Sequence, residues 1–202
     1  MTCGLYKWSL SLVLGAAAGL AMAVEIPQIG FQVLGSYPTG SMRSDFGTNT
    51  GYGLGVFGGW EASPGKVVRL AYDGLWYGDS KQSSTAAGVP ASALSSEGDR
   101  KARSHMVSLQ YLWYPSGDDE GFYWKVGLGG MNCLTRVRAT ATFQGGQKST
   151  VDVLDESGTK LAALAGVGCD IGRNWGVMAQ CSFITVANRT WGSVQTGIDY
   201  RF

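Results

Sequence analysis

The chain is short of charge, proline, histidine and cysteine, and each shortage closes a class of explanation. Only 15% of its 202 residues are charged, with 16 Lys+Arg against 15 Asp+Glu, so no basic surface points to a nucleic-acid partner. Five prolines and no Gly-X-Y period exclude collagen and proline-rich disorder. One histidine, His105, leaves no multi-histidine metal site. The 4 cysteines lack CxxC spacing, which removes the usual metal and redox motifs. Cys3 lies near the N-terminus, and Cys133, Cys169 and Cys181 read as small apolar packing residues. No cofactor is implied. What the chain has in excess is glycine, 31 residues, alongside 11% aromatics; that aromatic share argues against a disordered tail. The length suits one domain.

The N-terminus reads as an address. Met1 to Lys7 carries one positive charge, Trp8 to Leu20 is almost wholly apolar, and Ala21-Met22-Ala23 supplies a small-x-small cleavage pattern. Together these predict a secretory signal over 1–23, cut after Ala23, with 24–202 as the mature domain. The apolar run is shorter than the roughly 20 residues a membrane helix needs.

After Ile29 the hydrophobic period is 2, not 3.6. Val68, Leu70, Tyr72, Trp76 alternate with Arg69, Ala71, Asp73; Val107, Leu109, Tyr111, Trp113 with Ser108 and Gln110; Phe122, Trp124, Val126, Leu128 with Tyr123, Lys125, Gly127; Val194, Thr196, Ile198, Tyr200, Phe202 with Gln195, Gly197, Asp199, Arg201. Weaker copies run through 31–37, 54–60, 161–171 and 175–183, making eight strands. Connections alternate between short (62–65, 116–120, 172–174) and long (39–50, 79–103). That alternation is the plan of an all-β, eight-stranded antiparallel up-and-down transmembrane barrel.

A Gly-Gly hairpin pairing Gln144 with Gln147 predicts a register. Phe122 faces Cys169, Trp124 faces Val167, Val126 faces Ala165 and Leu128 faces Ala163, with Asn132 opposite Thr159, Arg136 opposite Asp155 and Thr142 opposite Ser149 higher up. A turn at Arg189-Thr190 sets Cys181 against Ile198 and Ala179 against Tyr200. A soluble barrel would hide the same apolar stripe inside, so aromatic placement decides which face is outward. Trp60, Trp113, Trp124, Trp175, Tyr200 and Phe202 fall near the short-turn end and Trp76 near the long-loop end, as two interfacial belts. The opposite face, with Glu61, Arg69, Asp73, Lys125, Asp170, Gln180, Gln195, Asp199 and Arg201, lines the lumen. Eight strands enclose a space that side chains fill, so these charges are expected to pair as a polar plug. Inward glycines would let Phe57, Tyr123 and Leu164 fill the interior.

The export signal, the eight amphipathic strands, the Gly-rich Gly51-Tyr52-Gly53-Leu54-Gly55 and the terminal Asp199-Tyr200-Arg201-Phe202 resemble the small eight-stranded outer-membrane barrels of the OmpX and OmpA-barrel type. The resemblance implies a bacterial outer-membrane location among lipid and lipopolysaccharide. It also implies delivery by periplasmic chaperones and the barrel-assembly machinery, with Tyr200 and Phe202 as the assembly signal. Some such barrels act on lipid A through a His-x-Ser pair, but here the spacing is His105-Met106-Val107-Ser108. Residues three apart on a strand point to opposite faces, so no nucleophile is activated and no catalytic residue is assigned. The expectation is a structural or surface-interacting barrel, with a protruding hairpin over 132–159 as a possible partner site. A narrow pore and, less favoured, a lipid A-modifying enzyme are the alternatives.

Overall fold

The computed structural model describes residues 28–46, 50–82, 95–118, 120–143, 146–186 and 189–202; the expected leader over 1–23 lies outside them. Eight strands follow in chain order: β1 (Gln28–Gly40), β2 (Gly51–Ser63), β3 (Lys66–Gln82), β4 (Ser95–Trp113), β5 (Phe122–Thr142), β6 (Lys148–Ile171), β7 (Trp175–Val186) and β8 (Arg189–Arg201). Each pairs antiparallel with the next, and β8 returns to β1 from Gly30↔Arg201 to Gly40↔Trp191, so the barrel is closed. Closure removes the unpaired sheet edges that a membrane does not tolerate. The expected fold class stands.

The period-2 pattern reappears as burial. Along β4, Ala102, Ser104, Met106, Ser108, Gln110 and Leu112 are buried, while Leu109, Tyr111 and Trp113 are exposed. Outward apolar side chains such as Leu54, Val126, Leu128 and Ile198 are more than half exposed. A surface of this kind requires an apolar solvent.

Three expectations about connections are corrected. The segment 79–103 is not one long loop, because β3 continues to Gln82 and β4 resumes at Ser95. The segment 39–50 contains a short helix, α1 (Ser41–Phe46), which packs on β1, β8 and β4 at the long-loop end. The protruding ribbon is wider than a hairpin, since β4 accompanies β5 up to Ser95↔Thr142.

The β5–β6 register holds from Phe122↔Cys169 to Asn132↔Thr159, as read from the sequence, and then shifts by one. Above the shift Arg136 faces Leu154, Asp155 faces Thr135 and Thr142 faces Lys148, so the expected Arg136–Asp155 and Thr142–Ser149 pairs do not form. Two features compensate each other. The turn closes between Phe143 and Gln147, with Phe143 N donating to Gln147 O at 2.9 Å and Gly146 at φ 80, so it is one residue longer than a Gly-Gly turn. Gly158, at φ 65, then sits at the irregularity where β6 carries the extra residue; glycine adopts this left-handed conformation without a Cβ penalty. At β7–β8 the ladder closes at Val186↔Arg189, and Cys181 faces Val194 while Ala179 faces Thr196. The turn lies before Arg189 instead of at Arg189-Thr190. The register is displaced by four residues, an even number that leaves every face assignment intact.

Candidate functional site

Two places can carry function: the lumen and the sheet that rises past the long-loop rim. Inward parity on all eight strands delivers the lumen. Arg69, Asp73, Lys125, Asp170, Gln180, Gln195, Asp199 and Arg201, expected there, are all buried. Glu61 is the exception. It has inward parity but stands exposed at the last rungs of β2, where the β2–β3 register slips between Glu61 and Ser63. It borders a surface hollow with Gln28, Pro64 and Asp118, so the rim and not the plug holds it.

The buried groups fall into distinct arrangements. Arg201 ion-pairs with Asp170 and lies 3.7 Å from Asp199 through Nε. Tyr114 donates to Asp170 Oδ2 at 3.1 Å. Gln32 donates to Asp73 Oδ1. Gln180 donates to Gln195 Oε1 at 2.6 Å, and Gln195 donates to Ser182 and Ser193 at 3.1 and 3.0 Å. Full mutual pairing of the charges was expected, and two cations depart from it. Arg69 lays its guanidinium 3.9 Å over the Phe57 ring, and its nitrogens make no hydrogen bond among the described residues. Lys125 Nζ donates to the Met178 thioether at 2.8 Å. Cation–π attraction offsets part of the burial cost of Arg69, and the lumen's carboxylates supply the rest at longer range in a low dielectric.

Aromatic and apolar layers lie on either side of Arg69, Asp73 and Lys125, while Asp170 and Arg201 sit at the short-turn end beside Tyr114. Toward the short turns, Val67, Leu112, Tyr114 and Tyr123 form a buried cluster. Toward the long loops, Leu34, Leu75, Tyr77, Met106, Met131, Cys133 and Ile184 form another, completed by Met42 from α1. Gln32, Ser182, Ser193, Tyr114 and the Met42 helix went unassigned in the sequence. The first three share the inward parity already applied to Gln180 and Gln195, so parity alone would have found them.

On the outer face, Trp113, Trp124 and Trp175 are about half exposed and Phe202 is 77% exposed, with Trp60 and Trp76 partly exposed. Trp175 meets Tyr200 edge-on at 4.8 Å, and Phe31 and Phe202 flank Tyr200 at 5.7 and 5.3 Å. At the opposite belt Tyr52 stacks on Trp76 at 6.1 Å. The terminal residues are tied in: Phe202 N donates to Ile29 O at 2.9 Å and Arg201 N to Asn174 O at 2.7 Å. His105 faces outward, where its Nδ1 lies 2.8 Å from Tyr72 Oη. Ser108 is buried in the lumen beside Gln110, so the two point apart as the spacing required.

Above the rim the sheet has an open side. β6 meets β5 along nearly all its length, but its pairing with β7 begins only at Ala162↔Ile184. From Lys148 to Ser157 its other edge has no strand partner among the described residues.

The family model described as "Outer membrane protein beta-barrel domain" matches residues 9–202. No curated protein matches the chain. Among solved structures, Ail, the attachment invasion locus protein of Yersinia pestis, is 15% identical with a TM-score of 0.49, covering 87% of this chain and 98% of its own. The N-terminal β-barrel domain of Pseudomonas aeruginosa OprF is 13% identical at 0.44, covering 87% and 97%. Neisserial surface protein A is 18% identical at 0.43, covering 87% and 96%.

Proposed function

The chain belongs to the outer membrane protein β-barrel family, and from that premise we propose that it is a non-enzymatic membrane anchor that displays a sheet edge at the cell surface. The observation that carries this reading is the edge of β6 from Lys148 to Ser157, which among the described residues has a strand partner on one side only. An extended segment of a partner protein can add to such an edge through main-chain hydrogen bonds. Closing a barrel in the membrane does not require strands of this length. β5 and β6 run to 21 and 24 residues, whereas β7 has 12. A spanning strand needs about 9–11.

The same reading takes the buried groups Arg69, Asp73, Lys125, Asp170, Gln180, Gln195, Asp199 and Arg201 as a structural filling, not a conduit. The apolar layers on either side of Arg69, Asp73 and Lys125 support a closed lumen. Export with cleavage after Ala23, and insertion through the barrel-assembly machinery on the signal of Tyr200 and Phe202, belong to it as well.

The test is retention of proteoliposomes on surfaces that each carry an immobilised extended peptide of alternating apolar and polar residues, which can add as a strand. A variant with residues 135–155 replaced by Asn-Gly removes most of the edge and leaves the barrel. Both proteins must show the heat-dependent gel shift of a folded barrel. The expected result is that the intact protein retains vesicles on at least one surface and the shortened one does not. Equal retention by both, or none by the intact protein, overturns the reading.

A further inference from the structure

The sequence holds 6 methionines, and the four beyond residue 23 — Met42, Met106, Met131 and Met178 — all lie in one buried cluster, each no more than 5% exposed. The lipid-facing surface, equally apolar, uses Leu, Val, Ile and Phe and presents no methionine among the described residues. Cys133, 1% exposed and in no disulfide, belongs to the same cluster. The sulfurs of Met42, Met106, Met131 and Cys133 lie together toward the long-loop end of the lumen.

The register brings three of these side chains together. Met106 on β4 is the direct partner of Met131 on β5, and Cys133 lies two residues farther along the same inward face, opposite Ser104. Directly opposed side chains have Cβ atoms about 4.5–5.5 Å apart, with diagonal neighbours about 7–8 Å or less. Flexible thioether arms span those separations. Met42 enters the cluster from α1, which packs on β4 at the long-loop mouth. Met178 belongs elsewhere, since its sulfur accepts from Lys125.

We propose that Met106, Met131 and Cys133, with Met42 above them, form a binding site for a soft monovalent metal ion, Cu(I) or Ag(I). Thioether and thiolate ligands select such ions over Mg, Ca or Mn. Binding replaces the Cys133 proton with the metal and releases that proton to solvent; no electron is transferred. A thiolate with a monovalent ion is neutral, which suits a site walled by Leu34, Leu75 and Ile184. A divalent ion would leave a net charge there, at large cost. Met42 stands at the mouth and is the first sulfur that an ion entering from the loop side meets.

The experiment titrates Ag(I) into the full-length protein, purified from membranes in detergent, and counts bound metal after desalting. The background is Cys169→Ser/Cys181→Ser, which removes the two thiols that lie outside the lumen cluster. One Ag(I) per chain is expected, with an X-ray absorption spectrum showing sulfur neighbours only. Met106→Leu/Met131→Leu conserves volume and keeps the heat-dependent gel shift, and should weaken binding about 100-fold. Cys133→Ser should do the same. The proposal fails if the background protein retains no silver, or if the Met106→Leu/Met131→Leu protein binds as tightly as its parent. Met42→Leu is the second, gentler variant: its expected effect is slower uptake, and uptake at the parent's rate removes Met42 from the site.

Discussion

Tyr123 and Gly168 are register partners on β5 and β6, and the Tyr123 ring occupies the space where a Cβ on Gly168 would stand. Phe57 stands in the same relation to Gly30, and Leu164 lies 3.1 Å from where a Gly127 Cβ would be. Glycine in these strands is thus a packing residue. It gives up its own side chain so that a large neighbour can cross a narrow lumen, which explains an abundance that would otherwise weaken strands.

Gly168→Ala should therefore be costly, because Tyr123 is fully buried and its ring must leave its place. Overpacking of this kind costs about 1–3 kcal/mol. The contrasting site is Gly35, where an added Cβ meets only Thr196 Oγ1 at 3.5 Å and Thr196 O at 3.8 Å, an ordinary contact. Gly35→Ala should change stability by no more than about 0.5 kcal/mol. Urea unfolding in detergent, followed by tryptophan fluorescence, measures both. Equal effects at the two positions would defeat the packing explanation.

The Arg201–Asp170 pair makes a second prediction. Both side chains are buried; removing Arg201 strands two carboxylates, Asp170 and Asp199, whereas removing Asp170 leaves Arg201 with Asp199 at 3.7 Å. Asp170→Ala and Arg201→Ala should each destabilise the barrel by about 3–5 kcal/mol. The double variant should lose less than the two losses added, since Asp170 is no longer left without its cation. Asp170 also accepts from Tyr114, but Arg201→Ala strands two buried carboxylates and should be the worse of the two. Strict additivity in the cycle would show that the pair is not coupled.

How much of this was legible in the sequence follows from what a period of 2 encodes. It fixes faces, so the inward charges and outward tryptophans were readable, and errors by an even number of residues did no harm. The expected β7–β8 register is displaced by four and still puts Cys181 and Ala179 outward, although Ala179 meets Thr196 and not Tyr200. Period 2 does not encode turn length or bulges. Gly158 carries positive φ, yet nothing distinguishes it in sequence from the glycines that lie flat in strands, and Gly146 marks a turn without giving its length. Their two shifts cancel below Asn132, which is why the lower half of the β5–β6 ladder was read correctly from a turn that was misplaced. Glu61 shows a further limit: parity says which way a residue points but not whether it lies below the rim. The helix Ser41–Phe46 is too short for a period of 3.6 to register.

The layering of the lumen leads to a conductance prediction. Among the described residues, the Arg69 nitrogens, Asp73 Oδ2 and both Asp199 carboxylate oxygens are buried without a hydrogen-bond partner, and polar groups of this kind ordinarily bind water. A hydrated middle then lies between two dry barriers in series: Tyr114 and Tyr123 with Val67 and Leu112 at the short-turn end, and Met42, Met106 and Met131 with their neighbours at the long-loop end. Opening one barrier leaves the other shut. The wild type, Tyr114→Ser/Tyr123→Ser and Met42→Ser/Met131→Ser should all be silent in planar bilayers, while the quadruple variant should show steady unit conductance. Its selectivity should be weak, because Arg69, Lys125 and Arg201 balance Asp73, Asp170 and Asp199 along the path. Steady conductance from either double variant would mean that the opposite layer is no barrier, and a conducting wild type would mean that the lumen charges line a pore and do not fill a plug.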